Sequence, residues 1–228
     1  MRRTALTVTL FALSALPAGA QTVLTIGATG RVEATPDEAV ASFTVQAMAP
    51  DAATAQAGVN AAMTKALAEA RAVSGVVATT GGYYASQQTQ DTQPPKTVYQ
   101  ASQSLRLVLP AADGLPPARF TDLLGRLQQQ GLLLNDLGGD LSAKVQQDAQ
   151  QAAVLAALDQ IKAQAAAVAA HLHEGVGPVK TLNVNAAPAP GPGPVLAMAR
   201  AAPAPVSAPG NIMVSADVTA ALELDAAR

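Results

Sequence analysis

Residues 143–174 read AKVQQDAQQAAVLAALDQIKAQAAAVAAHLHE, and this stretch decides the fold class. Alanine, the best helix former, recurs throughout it. Its larger apolar residues alternate steps of four and three, which keeps them on one helical face: Val154, Leu158, Ile161, Ala165, Val168 and Leu172. The sequence therefore predicts one long Ala-rich helix over about 145–174, a rod of roughly 45 Å.

A second stripe runs along the same helix. Alanines recur at every seventh residue, at Ala149, Ala156, Ala163 and Ala170, on a nearly opposite face. The pattern predicts that the aliphatic seam is buried in the core of the protein. The alanine seam, from Ala149 to Ala170, would then be either an internal contact or an open surface for a close neighbour.

The first twenty residues have the form of a secretory signal peptide. Arg2 and Arg3 precede the apolar run TALTVTLFALSAL, Pro17 breaks that run, and residues 18–20 form a small-x-small cleavage site before Gln21. We therefore predict a signal peptide at 1–20 and a periplasmic location. The chain has no Cys, so neither a lipid-anchored cysteine nor disulfide or thiol chemistry is expected.

Residues 21–228 are long enough for one domain. The full chain has a formal net charge of −2, and losing the two leader arginines would leave a net charge of about −4. A mildly acidic chain is not expected to bind nucleic acid. No stretch after residue 21 is apolar enough over 18 residues to predict a membrane-spanning helix.

The remaining segments alternate strands with helices. Two strands at 22–47 flank a Pro36-Asp37 turn. Asp51 is predicted to cap a helix that ends at Gly75 and whose inward face contains Val59, Met63, Leu67 and Ala70. Strands follow at 76–85 and from Val98, joined by a polar loop at 87–96, and the second strand places Tyr99, Ala101, Leu105, Leu107 and Leu109 on one side. A short helix at 113–131, with Phe120, Leu123, Leu124 and Leu127 facing inward, precedes a strand at 132–143, for which Gly138-Gly139 suggest a bulge. The pattern predicts an α+β fold with a largely antiparallel sheet and helices packed on one face.

The last third of the chain contains the long helix, two strands and an unusual insertion. Gly175 and Gly177 are predicted to end the helix, before a strand at 179–185. Residues 186–210 are almost entirely Ala, Pro and Gly, which predicts a mobile connection. The final strand from Ile212 alternates apolar and polar residues with period two.

In this order of features the chain resembles the SIMPL-domain family of exported bacterial proteins, some of which are described as oxidative-stress-defence or periplasmic immunogenic proteins. The features that carry the resemblance are Gly30-x-Val32, Pro36-Asp37, Tyr99-x-Ala101-Ser102, Asp148-Ala149, Gly175-x-Gly177 and the Pro/Ala-rich insertion. Ala28 departs from the pattern, because the family often has a second glycine there. The resemblance implies an exported α+β domain and a role in stress defence, and it supplies no catalytic residues.

Four groups of residues are candidate sites by composition. His171 and His173 lie about 200° apart on a helix, so they do not converge on a metal ion. Asp136 with Asp140, and Asp37 with Glu38, fit turn-forming acids at strand ends better than paired catalytic carboxylates. Gly27-Ala28-Thr29-Gly30 lacks a phosphate-binding motif and lies in a strand. Tyr83, Tyr84 and Tyr99 could stack on an aromatic ligand, although packing on the sheet is favoured.

No catalytic, cofactor-binding or metal-binding residues are therefore predicted, and no cofactor is expected. The chain is expected to be a non-enzymatic protein of the cell envelope that acts by self-assembly or by binding an envelope protein partner. A homo-oligomer would use the alanine seam of the long helix. The alternative is a periplasmic binding or carrier module that holds a small apolar ligand between the helices and the sheet.

Overall fold

The computed structural model describes residues 22–90, 95–185 and 208–226. The elements along these residues follow the predicted order. They are β1 (Thr22–Ala34), β2 (Glu38–Ala49), α1 (Ala52–Arg71), β3 (Val77–Gln90), β4 (Lys96–Pro110), a 3-10 turn (Ala112–Gly114), α2 (Ala118–Gln129), β5 (Leu133–Asp140), α3 (Ala143–Leu172), β6 (Glu174–Asn185) and β7 (Ile212–Ala226). The predicted signal peptide and nearly all of the predicted insertion lie outside the described residues.

The strands form two antiparallel sheets. A four-stranded sheet has the order β3-β4-β2-β5, and a three-stranded sheet has the order β1-β7-β6. All pairings between the described strands are antiparallel. The predicted α+β class, with antiparallel strands and one long Ala-rich helix, is therefore confirmed. The chain passes from one sheet to the other at Pro36-Asp37, since β1 before the turn pairs with β7 and β2 after it pairs with β4 and β5.

Helices α1 and α2 cover one face of the four-stranded sheet. Asp51 caps α1 as predicted, because the Thr54 N–H donates a 2.9 Å hydrogen bond to Asp51 Oδ1. The side chains buried between helices and sheet include Phe43, Val59, Met63, Leu105, Leu107, Leu109, Phe120, Leu123, Leu124 and Leu127. The inward faces predicted for α1, α2 and β4 are buried, except that Leu67 and Tyr99 are half-buried.

Helix α3 packs along the three-stranded sheet, mainly on β1 and β7. Its buried residues recur at every fourth position, and all but one are alanines: Ala149, Ala153, Ala157, Ile161, Ala165 and Ala169. Four residues turn a helix by 400°, so this line advances by about 40° around the axis at each step. The buried line therefore spirals around α3, as packing along a twisted sheet requires.

This spiral explains why the two straight stripes predicted for α3 are only partly buried. Of the aliphatic seam, Ile161 and Ala165 are buried, Val154, Leu158 and Val168 are half-buried, and Leu172 is exposed. Of the alanine seam, Ala149 is buried, Ala156 is half-buried, and Ala163 and Ala170 are exposed. The outer part of the alanine seam is therefore not covered by the described residues of this chain.

The helix and the sheet approach each other closely at Gly30 of β1. A Cβ atom at Gly30 would overlap the carbonyl oxygen of Ala153 and lie 2.6 Å from the backbone nitrogen of Ala157. The contact is therefore strand backbone against helix backbone. Only glycine fits on the strand side of such a contact, and only small side chains fit beside it on the helix side.

Three local predictions are wrong. Residues 87–90 do not form a loop, because they continue β3 and pair with β4 from Lys96 onward. The irregularity in β5 falls at Asn135, which has no partner on β2 in the strand register, and not at Gly138-Gly139. Helix α3 ends at His173, which adopts left-handed backbone angles (φ 56°, ψ 37°), so that β6 begins before Gly175 and contains both predicted terminators.

Candidate functional site

The turn between β1 and β2 ties the two sheets together. The Asp37 N–H donates to the Asp140 carbonyl at 3.1 Å, and the Asp37 carbonyl accepts from the Ala111 N–H at 2.9 Å. Asp37 Oδ1 accepts a 2.6 Å hydrogen bond from the Ser142 N–H at the start of α3. Because its backbone and side chain are all engaged, Asp37 holds the strand ends in place.

Prolines and glycines pack at the same junction. A Cβ atom at Gly139 would lie 2.7 Å from Pro209 Cβ and 2.9 Å from Pro36 Cβ, and Gly114 adopts φ 66° beside the same Pro36. The residues that lead into β7 therefore reach the end of the four-stranded sheet. The Pro36-Asp37 motif of the resemblance is thus explained by packing and backbone hydrogen bonding.

Three of the four candidate acidic residues, Asp37, Glu38 and Asp140, lie together at the ends of β2 and β5. Glu38 lies beside Asp140 in the strand register, and Arg106 Nη2 contacts Asp140 Oδ2 at 2.6 Å. Partial burial raises the pKa of Glu38, the charges of Asp37 and Asp140 raise it further, and Arg106 opposes the shift. Asp136 lies opposite Ser42 on the same sheet. The arrangement is a partly compensated charge cluster that closes the sheet end.

The two histidines take helix-end positions. His171 lies in the last turn of α3, and His173 is the left-handed residue that ends the helix. Both side chains are exposed. Within the described ranges, no group of three or more His, Cys, Asp or Glu side chains is placed to hold a metal ion.

The tyrosines do not converge on one site. Tyr99 is half-buried against the core of the four-stranded sheet, and Tyr83 and Tyr84 lie on opposite faces of β3 because they are consecutive strand residues. The glycine-containing segment at 27–30 lies inside β1, as predicted, and pairs regularly with β7.

An apolar surface on β6 is left uncovered by the described part of the chain. Val176, Val179, Leu182 and Val184 pair with the buried β7 residues Leu224, Leu222, Ala220 and Val218, so they share the face on which α3 packs. These four side chains, hereafter the β6 row, are nevertheless between 44% and 55% exposed. Four adjacent aliphatic side chains on one sheet face, all about half exposed, form a contiguous apolar surface.

The β6 row is open because one helix is too narrow for three strands. A helix with its side chains is about 10–12 Å across, and neighbouring strands lie about 4.8 Å apart, so one helix covers about two strands. Helix α3 lies over β1 and β7, where Gly30 lets it approach closely. The third strand is left at the rim, whereas the four-stranded sheet has two helices.

This surface could not be recognised from the sequence alone. The residues of the β6 row are spaced by three, three and two positions, because the pairing with β7 shifts between Val176 and Val179 and again before Thr181. A strand normally reveals its apolar face through a period of two. With the alternation interrupted twice, the row is not recognisable from spacing alone, although Pro178 and Gly177 are typical of an irregular strand.

By length and composition helix α3 does meet the criteria for a membrane-spanning helix, contrary to the expectation from the sequence. In the fold it packs on β1 and β7 through its line of alanines and Ile161. A core helix of a globular protein meets the same criteria of length and hydropathy. These contacts account for the buried line of α3 as sheet packing.

The structure is an α+β domain with two antiparallel sheets. Two of the motifs that carry the family resemblance have structural roles in it, because Gly30 lets α3 approach β1 and Pro36-Asp37 forms the junction between the sheets. A family model named SIMPL, described as a protein of unknown function (DUF541), matches residues 24–222. The chain belongs to the SIMPL family. No curated protein matches the chain.

Proposed function

We propose that this chain is an exported, non-enzymatic protein of the cell envelope that assembles with further copies of itself through the β6 row. The observation that carries the proposal is the half-exposed apolar row beside the buried core of the three-stranded sheet. A second copy that places its own β6 row against this one would complete the cover that α3 leaves unfinished. The exposed alanine seam around Ala163 offers less apolar area, so the β6 row is the preferred contact.

The size of the row sets the expected strength of the contact. Fully burying a Val or Leu side chain contributes about 1.5–3 kcal/mol, so burying the remaining half of four such chains contributes roughly 4 kcal/mol per copy. Association costs about 4–15 kcal/mol in lost freedom of motion. Two rows therefore give a weak pair, and the assembly should depend on protein concentration.

Export is supported by the leader-like sequence at 1–20, and the absence of a recognisable catalytic set supports a role without catalysis. The resemblance to SIMPL-domain proteins implies a contribution to stress defence. Intact-mass measurement of protein from a periplasmic extract tests the export step. A mature chain that begins at Gln21 is expected, and a chain retaining Met1 in the cytoplasmic fraction contradicts export.

Assembly is tested by light scattering of the purified mature protein over a range of concentrations. We expect a mass that rises above that of the monomer with concentration, and we expect Leu182→Glu to abolish the rise. Asn183→Glu is the matched control, because it adds the same charge one residue along, on the opposite face of β6. A wild-type protein that stays monomeric throughout, or equal effects of both variants, would refute assembly through the β6 row.

A second candidate function, a carrier of a small apolar ligand, is favoured by one cleft. The cleft has a volume of about 220 Å³ and lies between the start of α1 and the β3–β4 hairpin, beside Ala52, Ala55, Ala85, Tyr99 and Ala101. Typical ligand pockets measure about 300–1,000 Å³, so only a small molecule would fit. Native mass spectrometry should show a bound ligand that Ala85→Leu displaces, and ligand-free protein would reject this function.

A further inference from the structure

The outer face of the four-stranded sheet carries an exposed aromatic ring. Tyr84 on β3 is 71% exposed, in a chain whose aromatic content is 3%. Gly82 makes room for it. A Cβ atom at Gly82 would lie 2.7 Å from Tyr84 Cε2 and 2.8 Å from its hydroxyl oxygen, so the outer half of the ring lies over Gly82. Gly81 fits closely against Ser104 at the shift in the β3–β4 pairing.

Mostly neutral hydrogen-bonding side chains lie beside this ring. Ser102 pairs directly with Tyr84 on one side and with Gln46 on the other, and in the next row Gln100 lies between Ser86 and the exposed, apolar Met48. Gln88 Nε2 donates to Gln100 Oε1, and Gln100 Nε2 donates to Gln46 Oε1 at 3.4 Å. These six residues, hereafter the Tyr84 patch, are Tyr84, Ser86, Gln88, Gln46, Gln100 and Ser102.

We propose that the Tyr84 patch binds a neutral oligosaccharide. Amide and hydroxyl groups both donate and accept hydrogen bonds, as the hydroxyl groups of a sugar do, and an aromatic ring gives the apolar side of a sugar ring a surface to lie on. The patch contains no charged residue, and Arg106, further along the same face, is engaged by Asp140. The electrostatic character of the patch therefore matches a neutral ligand and gives no advantage to an ionic one.

The dimensions of the patch fit a short, extended ligand. Its side chains span three strands and three alternate positions, roughly 10 Å by 13 Å from strand spacing and rise. Polar side chains are ordinary on the water-facing side of an antiparallel sheet, so they do not identify a ligand by themselves. The distinguishing feature is the exposed ring, which the side-chain-free Gly82 allows to lie along the strand beside the glutamines.

The test uses the purified mature protein with chitotetraose and cellotetraose as probes, in isothermal titration calorimetry and in heteronuclear NMR. Binding of either probe with a dissociation constant at or below about 1 mM is expected, and that corresponds to a weak, exposed site. Tyr84→Ala should weaken binding at least tenfold. Tyr83→Ala is the matched control and should leave the affinity unchanged, because Tyr83 lies on the other face of β3.

A second variant separates ring position from ring identity. Gly82→Ala keeps Tyr84 but forces its ring away from the strand, so a several-fold loss of affinity is expected with an unchanged Tm. Absence of binding to both probes at 10 mM overturns the proposal, as does binding that Tyr84→Ala leaves intact. Because the patch and the β6 row lie on different sheets, Leu182→Glu should not affect sugar binding, and each proposal can fail without the other.

Discussion

Substituting Gly30 with Ala directly tests how α3 meets the sheet. The added Cβ would overlap Ala153 O and lie 2.6 Å from Ala157 N, whereas ordinary contacts begin at 3.4 Å. The helix would have to move by about 0.8 Å from the nitrogen alone, and further from the oxygen. Both contacting atoms belong to the helix backbone, so no side chain can rotate away to relieve the overlap.

The expected loss of stability lies at the upper end of the range for overpacking. Inserting a methyl group into a packed core costs about 1–3 kcal/mol, and a clash with backbone justifies a value of about 3 kcal/mol. For a protein of this size each kcal/mol lowers Tm by about 2–4 °C, so Gly30→Ala should melt roughly 6–12 °C below the wild type. Urea unfolding followed by far-ultraviolet circular dichroism gives the free energy of unfolding directly.

Gly27→Ala on the same strand is the matched control. A Cβ atom there would lie 3.6 Å from Thr219 Oγ1, an ordinary contact, so the variant should be unchanged or more stable by up to about 1 kcal/mol. Adding Ala153→Gly to Gly30→Ala should give no rescue, because the overlap is with backbone atoms. A Gly30→Ala variant within 0.5 kcal/mol of the wild type, or a rescue by Ala153→Gly, would refute the close contact.

Three further predictions concern α3 and the charge cluster. Ala165 is buried between α3 and the sheet, so Ala165→Leu should lower the free energy of unfolding by about 1–3 kcal/mol, whereas Ala163→Leu on the exposed face should change it by no more than about 0.5 kcal/mol in chemical unfolding. An altered particle mass for Ala163→Leu would place an interface on α3. His173→Gly should raise the free energy of unfolding by about 1 kcal/mol, because glycine adopts left-handed backbone angles without strain, whereas His171→Gly inside the last turn should lower it by about 1 kcal/mol. Similar losses of stability for both variants would exclude a left-handed helix end. Glu38 has a raised folded-state pKa, so its ionisation destabilises the fold as pH rises above the ordinary value of 4.5. Glu38→Gln should therefore raise Tm at pH 7 and leave it unchanged at pH 3, and a lower Tm at pH 7 would contradict the sign.

Much of the fold could be predicted because its determinants are local. The Asp51 cap, the inward faces of α1 and α2, and the alternation of β7 each depend on a few neighbouring residues, and the structure confirms them. The hairpin length was underestimated, because polar glutamines resemble a loop until their pairing partners on β4 are known. The end of α3 was misplaced, because glycine is the usual left-handed residue and His173 takes that role here.

The candidate surfaces were much harder to predict. The β6 row is hidden by two shifts in strand register, and its exposure depends on the width of a helix that packs two strands away. The Tyr84 patch combines residues from three strands, so its glutamines could be interpreted only as solvated polar residues until β2, β3 and β4 were aligned. Gly30 was recognisable as a motif residue, but the backbone of α3 that it contacts was not.

The sequence by itself determined the helices and most of the strands, the α+β class and the SIMPL family, because capping, periodicity and backbone restriction act over a few residues. The tertiary structure decided which strands share a sheet, why α3 buries a spiral line of alanines in place of its larger side chains, and which apolar row stays uncovered. These outcomes depend on where surfaces meet. A helix–sheet contact as close as that at Gly30 admits only small side chains, and one helix cannot cover three strands.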